Sequence, residues 1–175
     1  MSKAFDTIDH RKLITKLNNY GIRGNALNLI SSYLSNRKQC VSVLDVQSEE
    51  LPVEYGVPQG SVLGPLLFIL YINDLCKLTE TGEFVLFADD TNIFVAAETK
   101  EKAYIMANKV LLAVSNYMEV NLLHINVKKC CYLYFSPSKR DHDDEDSQYL
   151  TINNRLIKRV KQTKFLGVII DNKLS

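Results

Sequence analysis

Glu83-Phe-Val-Leu-Phe-Ala-Asp-Asp-Thr-Asn-Ile-Phe-Val-Ala-Ala97 is the stretch whose reading decides the fold. Aromatic and β-branched residues on both sides of Asp89-Asp90 predict two strands, Glu83 to Ala88 and Thr91 to Ala97, joined as a hairpin with two carboxylates at its tip. Read alone, Asp-Asp between such runs is an ordinary turn former. The other reading is chemical. Adjacent carboxylates repel, so the pair must be solvated or neutralised by a cation, and carboxylate oxygens suit Mg²⁺, which they hold together with waters and substrate phosphates.

Outward from this hairpin the pattern alternates helices with short strands. On the C-terminal side, Thr99 to Asn121 is the longest helix candidate, with Ala103, Met106, Val110, Leu111, Val114 and Met118 as apolar positions. Thr99 with Lys102 lacks the acidic partner of a full capping box. Upstream, a helix is predicted from Ser61 to about Leu75, with Pro65 acceptable in its first turn. Val41, Val43 and Val46 suggest a short strand that pairs with Leu51 to Tyr55 through the polar link Gln47 to Glu50. Near the start, Asp9 caps a helix carrying Leu13, Ile14 and Leu17 that stops at Gly21, and Ala26 to Leu34 form a second amphipathic helix. Toward the end, Cys130 to Phe135, Tyr149 to Ile152 and Lys164 to Ile170 read as strands. The order of elements points to α+β.

Composition agrees with a globular chain. At 175 residues, 46% hydrophobic and 23% charged, it is one domain or a piece of one, too balanced for disorder, collagen or coiled coil. Lys and Arg number 21 against 20 Asp and Glu, so a polyanionic partner has to be met by local clustering. Such a cluster exists: Arg155, Lys158, Arg159, Lys161 and Lys164 fall within ten residues without an acid, either a solvated face or a set of phosphate contacts. The acidic run Asp141 to Asp146 reads as a solvated loop. Cys40, Cys76, Cys130 and Cys131 have no zinc spacing and read as reduced thiols. No secretory signal opens the chain, and its longest apolar run, Leu66 to Ile72, is too short for a membrane span, so an intracellular location is expected. The oligomeric state is not legible.

Five blocks carry more than periodicity. They are Ser2-Lys-Ala-Phe-Asp-Thr-Ile-Asp-His10; Ser32-Tyr-Leu-Ser-Asn-Arg-Lys-Gln39; Gly56-Val-Pro-Gln-Gly-Ser-Val-Leu-Gly-Pro-Leu-Leu-Phe68 with Tyr71-Ile-Asn-Asp-Leu75 and Phe87-Ala-Asp-Asp90; Asn126-Val-Lys-Lys129; and Phe165-Leu-Gly-Val-Ile-Ile-Asp171. In this order they resemble the reverse transcriptase domain of non-long-terminal-repeat retrotransposons, the long interspersed, jockey-like kind. Phe-Ala-Asp-Asp alone is weak, but spaced matches over nearly the whole chain are specific.

The resemblance implies a polymerase palm, an RRM-like antiparallel sheet packed on helices, lacking complete fingers and thumb, with residues 1–175 as one partial domain and no second domain. It implies RNA-directed DNA polymerisation by two Mg²⁺ ions, with RNA template, DNA primer and deoxynucleotides as partners. Asp89 and Asp90 take the catalytic, metal-binding places. Phe5, Gln59, Gly60 and Lys129 take nucleotide-binding places, with Phe5 beneath the sugar and Lys129 near the triphosphate. Pro58, Phe165, Leu166 and Gly167 line template and primer, and Arg155, Lys158 and Arg159 join them as phosphate contacts. Without the family, Phe5 is a core aromatic, Gly56 to Gly60 a turn, Lys129 a surface lysine and Phe165 to Gly167 plain edge-strand packing. The first block's leading Asp falls one position before Met1 and Asp6 is a poor replacement, so the chain is expected to be an inactive or weakly active fragment. Two further readings are a non-catalytic nucleic-acid-binding remnant using residues 155–164 and an unrelated Mg²⁺ phosphohydrolase.

Overall fold

The computed structural model describes residues 4–136 and 148–173. Ser2, Lys3 and the acidic run 141–146 lie outside the described residues. The chain divides into two compact units, Met1–Leu75 with Met118–His124, and Cys76–Tyr117 with Ile125–Ser175.

In the first unit, α1 (His10–Asn19) begins where Asp9 accepts a hydrogen bond from the Lys12 amide at 2.8 Å, as its capping position predicts. Its apolar stripe buries Leu13 and Leu17. Helix α2 (Gly24–Leu34) follows, and α3 (Leu63–Ile72) is apolar almost all round, with Leu67, Phe68, Tyr71 and Ile72 buried in the core with Ile8 and Leu75. Between them run four two-residue strands, β1 (Lys38–Gln39), β2 (Ser42–Val43), β3 (Val46–Gln47) and β4 (Leu51–Pro52). The strand expected through Val41, Val43 and Val46 is broken. Leu44 and Asp45 both take positive φ, folding β2 back on β3, while β1 pairs with β4 outside them. These valines face solvent, and Leu44 at the tip is 92% exposed.

In the second unit, β5 (Glu83–Phe87) and β6 (Asp90–Phe94) form the expected hairpin. Helix α4 (Lys100–Val120) starts after Thr99, whose hydroxyl accepts from the Lys102 amide at 3.3 Å; its last turn, from Met118, belongs to the first unit. A short 3₁₀ turn, Val127–Lys129, leads into β7 (Cys131–Tyr132), shorter than the strand expected over Cys130 to Phe135. Next come β8 (Thr151–Ile152), β9 (Arg155–Leu156), β10 (Lys158–Arg159), β11 (Gln162–Phe165) and β12 (Val168–Asp171). Instead of one strand over Lys164 to Ile170, Leu166 and Gly167 turn the chain so that Phe165 pairs with Val168. The core of this part is Tyr104, Leu150, Ile152 and Ile157.

The expected class, mixed helix and strand with mostly antiparallel pairing, is observed. Among the described residues the strands form six separate two-stranded sheets, one of them parallel (β7 with β10), rather than one continuous antiparallel sheet. Four are hairpins with two-residue loops. In three, at Leu44-Asp45, Asn153-Asn154 and Leu166-Gly167, both loop residues have positive φ, the pattern whose twist matches paired strands. The fourth is the carboxylate hairpin, and it differs. No described helix is long and apolar enough to cross a membrane.

Candidate active site

The carboxylate hairpin turns at Ala88-Asp89 rather than at Asp89-Asp90. Phe87 pairs with Asp90, so Asp90 is the first residue of β6 and Asp89 alone of the pair lies in the loop. Only Ala88 has positive φ, at 50°, the signature of a type II′ turn, where glycine is the usual residue. A side chain in that region costs about 1 kcal/mol, a strain placed directly beside Asp89. Alternation then sorts the hairpin into two faces. Phe84, Leu86, Thr91 and Ile93 are half-buried. A Cβ at Gly82 would lie 3.2 Å from Val110 of α4 and 3.5 Å from Ile93, which identifies this as the packed face. Val85, Phe87, Asp90, Asn92 and Phe94 share the other face, with the two phenylalanines and Asp90 exposed. Both Asp89 and Asp90 are exposed.

Phe165 meets this outer face. Its ring lies edge-on to Phe94, centroids 6.2 Å apart. Phe94 is four residues from Asp90 on the same face, about 13 Å along the strand, so Phe165 supports the base of the hairpin and not its tip. Leu166 and Gly167 form the exposed turn beyond it. Lys129 is exposed at the end of the 3₁₀ turn. Arg155, Lys158, Lys161 and Lys164 are exposed on or beside β9 to β11, whereas Arg159 is half-buried with its guanidinium 5.4 Å over Tyr134. Cys130 is half-buried and burial pushes its thiol up, while Cys131, Cys76 and Cys40 are exposed free thiols.

The remaining expected site residues, Phe5, Pro58, Gln59 and Gly60, lie together in the first unit. Ala4–Asp6 is a single 3₁₀ turn. The Phe5 carbonyl accepts from the Val57 amide and the Ile8 carbonyl from the Gly56 amide, each at 2.8 Å. Gly56 has φ +86° and its Cα approaches Phe5 and Asp6 so closely that a Cβ would stand 2.9 Å from backbone atoms of both. Glycine is required there on both counts. Pro58 turns the loop, its carbonyl accepting from the Ser61 hydroxyl at 2.6 Å. The half-buried Phe5 ring packs on buried Phe68, centroids 4.9 Å apart.

Two contacts at this loop escaped the sequence reading. His10 Nε2 donates to the Gly56 carbonyl at 2.6 Å, and Gln59 Nε2 donates to Asp6 Oδ1 at 2.7 Å. His10 and Asp6 sit in the first block, but partners about fifty positions away leave no local signal. Beneath, Lys16 binds both oxygens of Asp74 at 2.7 and 2.9 Å and the Tyr71 carbonyl at 2.8 Å. Burial lowers the Lys16 ammonium from its ordinary value, with Asp74 opposing the shift. Tyr71 donates to the Asn121 carbonyl at 2.8 Å, and burial pushes its hydroxyl up to about 12.

Metal fit follows from donor chemistry. Asp89 and Asp90 offer hard oxygen ligands at an exposed turn, matching Mg²⁺ held partly by water and phosphate. Among the described residues no group of three or more His, Cys, Asp or Glu is gathered to hold an ion.

A family model described as reverse transcriptase (RNA-dependent DNA polymerase) matches residues 1–170. The chain is similar to the RNA-directed DNA polymerase from mobile element jockey of Drosophila melanogaster, 27% identical over 186 residues, covering 100% of this chain and 19% of that protein. Its counterpart from Drosophila funebris is 29% identical, again over 100% of this chain and 19% of that protein. The probable RNA-directed DNA polymerase from transposon X-element of Drosophila melanogaster is 28% identical over 99% of this chain and 19% of that protein. The chain thus spans about a fifth of the length of these relatives.

Proposed function

Because the chain belongs to the reverse transcriptase (RNA-dependent DNA polymerase) family, we propose that it forms the carboxylate-bearing palm portion of an RNA-directed DNA polymerase of a mobile element. The reaction class is nucleotidyl transfer, a primer 3′-hydroxyl displacing pyrophosphate from a deoxynucleotide on an RNA template. The observation that carries this reading is Asp89 in the exposed turn of a hairpin with exposed Asp90 beside it at the start of β6, the hairpin's other face packing toward Val110 of α4.

Asp89 and Asp90 would hold Mg²⁺, which would supply charge neutralisation at the phosphates. The rest is positioning by this chain. The half-buried Phe5 is backed by Phe68, which gives a firm ring beneath a deoxyribose and leaves no room for a 2′-hydroxyl. Gln59 and Gly60 line the nucleotide, and Pro58 sets the loop that carries them. The Lys129 ammonium faces solvent, available to the triphosphate as pyrophosphate leaves. The turn Leu166-Gly167, braced through Phe165 on Phe94, supports the primer, and Arg155 and Lys158 contact phosphates while Arg159 rigidifies their strand through Tyr134.

The direct test is nucleotide binding. Wild-type chain with poly(rA)·oligo(dT) is expected to bind dTTP only when Mg²⁺ is present, and Asp89→Ala to lose that dependence while still binding the hybrid. Equal dTTP binding by Asp89→Ala refutes the role of the pair. A second reading, a nucleic-acid-binding surface without catalysis, is favoured by one observation: four of the five cations at 155–164 are exposed. It predicts hybrid binding that weakens steeply with salt, with no response to dTTP or Mg²⁺.

A further inference from the structure

Gln59 is exposed, yet its amide is not free to turn. A side-chain amide has a donor end and an acceptor end, and in water the two exchange places by rotation about the last bond. Facing an ionised carboxylate they cannot, because a carboxylate only accepts. With Nε2 on Asp6 Oδ1 at 2.7 Å, Oε1 is directed away from Asp6 and keeps its lone pairs for another partner. The bond is charge-assisted, and its length is that of a strong one.

Asp6 can impose this orientation because it shares a frame with the loop that carries Gln59. Ala4, at the other end of its 3₁₀ turn, is buried. The amides of Gly56 and Val57 bond back to Ile8 and Phe5, and His10 holds the Gly56 carbonyl at 2.6 Å. Residues 5–10 therefore form the template on which the loop is laid.

We infer that Asp6 is a positioning residue: it orients Gln59 so that a nucleotide meets a fixed carbonyl acceptor, which selects a hydrogen-bond-donating group on that ligand. The inference rests on the proposed polymerase function, which places Gln59 at the nucleotide. Asp6 itself touches no substrate in this scheme.

The test uses the full ¹⁵N-labelled chain, with poly(rA)·oligo(dT), Mg²⁺ and dTTP as probes. Variants are Asp6→Ala, Asp6→Asn, Gln59→Ala and the Asp6→Ala/Gln59→Ala double. Asp6→Ala should collapse the Gln59 side-chain amide resonances to solvent-exposed positions while leaving the thermal midpoint unchanged. It should weaken dTTP binding about tenfold, as much as Gln59→Ala, with no further loss in the double variant. Asp6→Asn keeps a carbonyl that can accept from Nε2 and should recover part of the loss. The inference is overturned if the Gln59 resonances do not move, if the two losses add, or if Asp6→Ala stays within about twofold of wild type while Gln59→Ala does not. A wild-type chain that binds hybrid but no dTTP removes the polymerase reading and this inference with it, a result distinct from the variant outcomes.

Discussion

Alanine at Gly56, Gly60 and Gly64 separates backbone strain from steric overlap within one loop. Gly60 has φ +78° with open space where a Cβ would stand, so Gly60→Ala should cost only the left-handed penalty, about 1 kcal/mol. Gly64 is helical, and its Cβ would stand 2.8 Å from the Pro58 carbonyl oxygen and 3.0 Å from Ser61 Oγ. Alanine's helix preference of about 1 kcal/mol offsets part of an overlap cost of about 1–3 kcal/mol, leaving roughly 1 kcal/mol of destabilisation. Gly56 carries both penalties. Its φ is +86°, and a Cβ would meet Asp6 Cα at 2.9 Å and the Phe5 carbonyl oxygen at 2.9 Å. These are backbone atoms tied by the Gly56–Ile8 and Val57–Phe5 hydrogen bonds, so they cannot swing aside as a side-chain tip would. Strain of about 1–2 kcal/mol and overlap of about 1–3 sum to roughly 3–4 kcal/mol, a large fraction of the 5–15 that holds a typical domain. The assay is urea unfolding followed by circular dichroism, since the chain has no Trp to serve as a fluorescence probe. A Gly56→Ala cost within about 0.5 kcal/mol of the Gly60→Ala cost would refute the close approach of this loop to Phe5 and Asp6.

Three further outcomes are expected. Ala88→Gly relieves the positive φ beside Asp89 and should raise stability by up to about 1 kcal/mol, seen as a higher urea midpoint at constant slope; a lower midpoint contradicts the strained turn. Asn108 on α4 donates to the Tyr149 carbonyl at 3.0 Å and accepts from the Thr151 amide at 3.0 Å, so Asn108→Ala should cost about 1–2 kcal/mol and speed hydrogen exchange at Thr151; unchanged protection there rules the clamp out. Tyr71 binds its proton more tightly folded than unfolded, so its contribution is complete below pH 10 and lost as pH rises from 10 to about 12, amounting to about 2–3 kcal/mol. Lys16, whose ammonium burial lowers from its ordinary value, acts in the opposite sense and is common to wild type and Tyr71→Phe. Tyr71→Phe should therefore flatten the alkaline fall in stability, and an identical fall in both proteins excludes Tyr71 as its source.

Much of the local structure was legible because its causes are local. The Asp9 cap, the stop after Tyr20, Pro65 in the first turn of α3 and the start of α4 after Thr99 follow from single residues at set offsets. Strand limits were not. The breaks at Leu44-Asp45 and Leu166-Gly167 put leucine in left-handed backbone, which no turn signal announces, and Val41, Val43 and Val46 look like a buried strand although they face solvent. At the site, the carboxylate hairpin was read correctly as a hairpin but displaced by one residue at its turn. Its blocks also led to the family, because five spaced matches carry information that one Asp-Asp pair does not.

By itself, then, the sequence singled out the candidate residues: side-chain type and spacing marked Asp89, Asp90 and the cations at 155–164, and the resemblance added Phe5, the loop Gly56 to Gly60 and Lys129. Only the tertiary structure decided how they are held. It turned the hairpin at Ala88, set Phe165 against Phe94 rather than near the carboxylates, withdrew Arg159 onto Tyr134, and joined Asp6 to Gln59. The physical reason is the range of the forces involved. Caps and turns act over three or four residues, whereas ring packing, close backbone approach and a hydrogen bond across 53 residues exist only once the chain has folded.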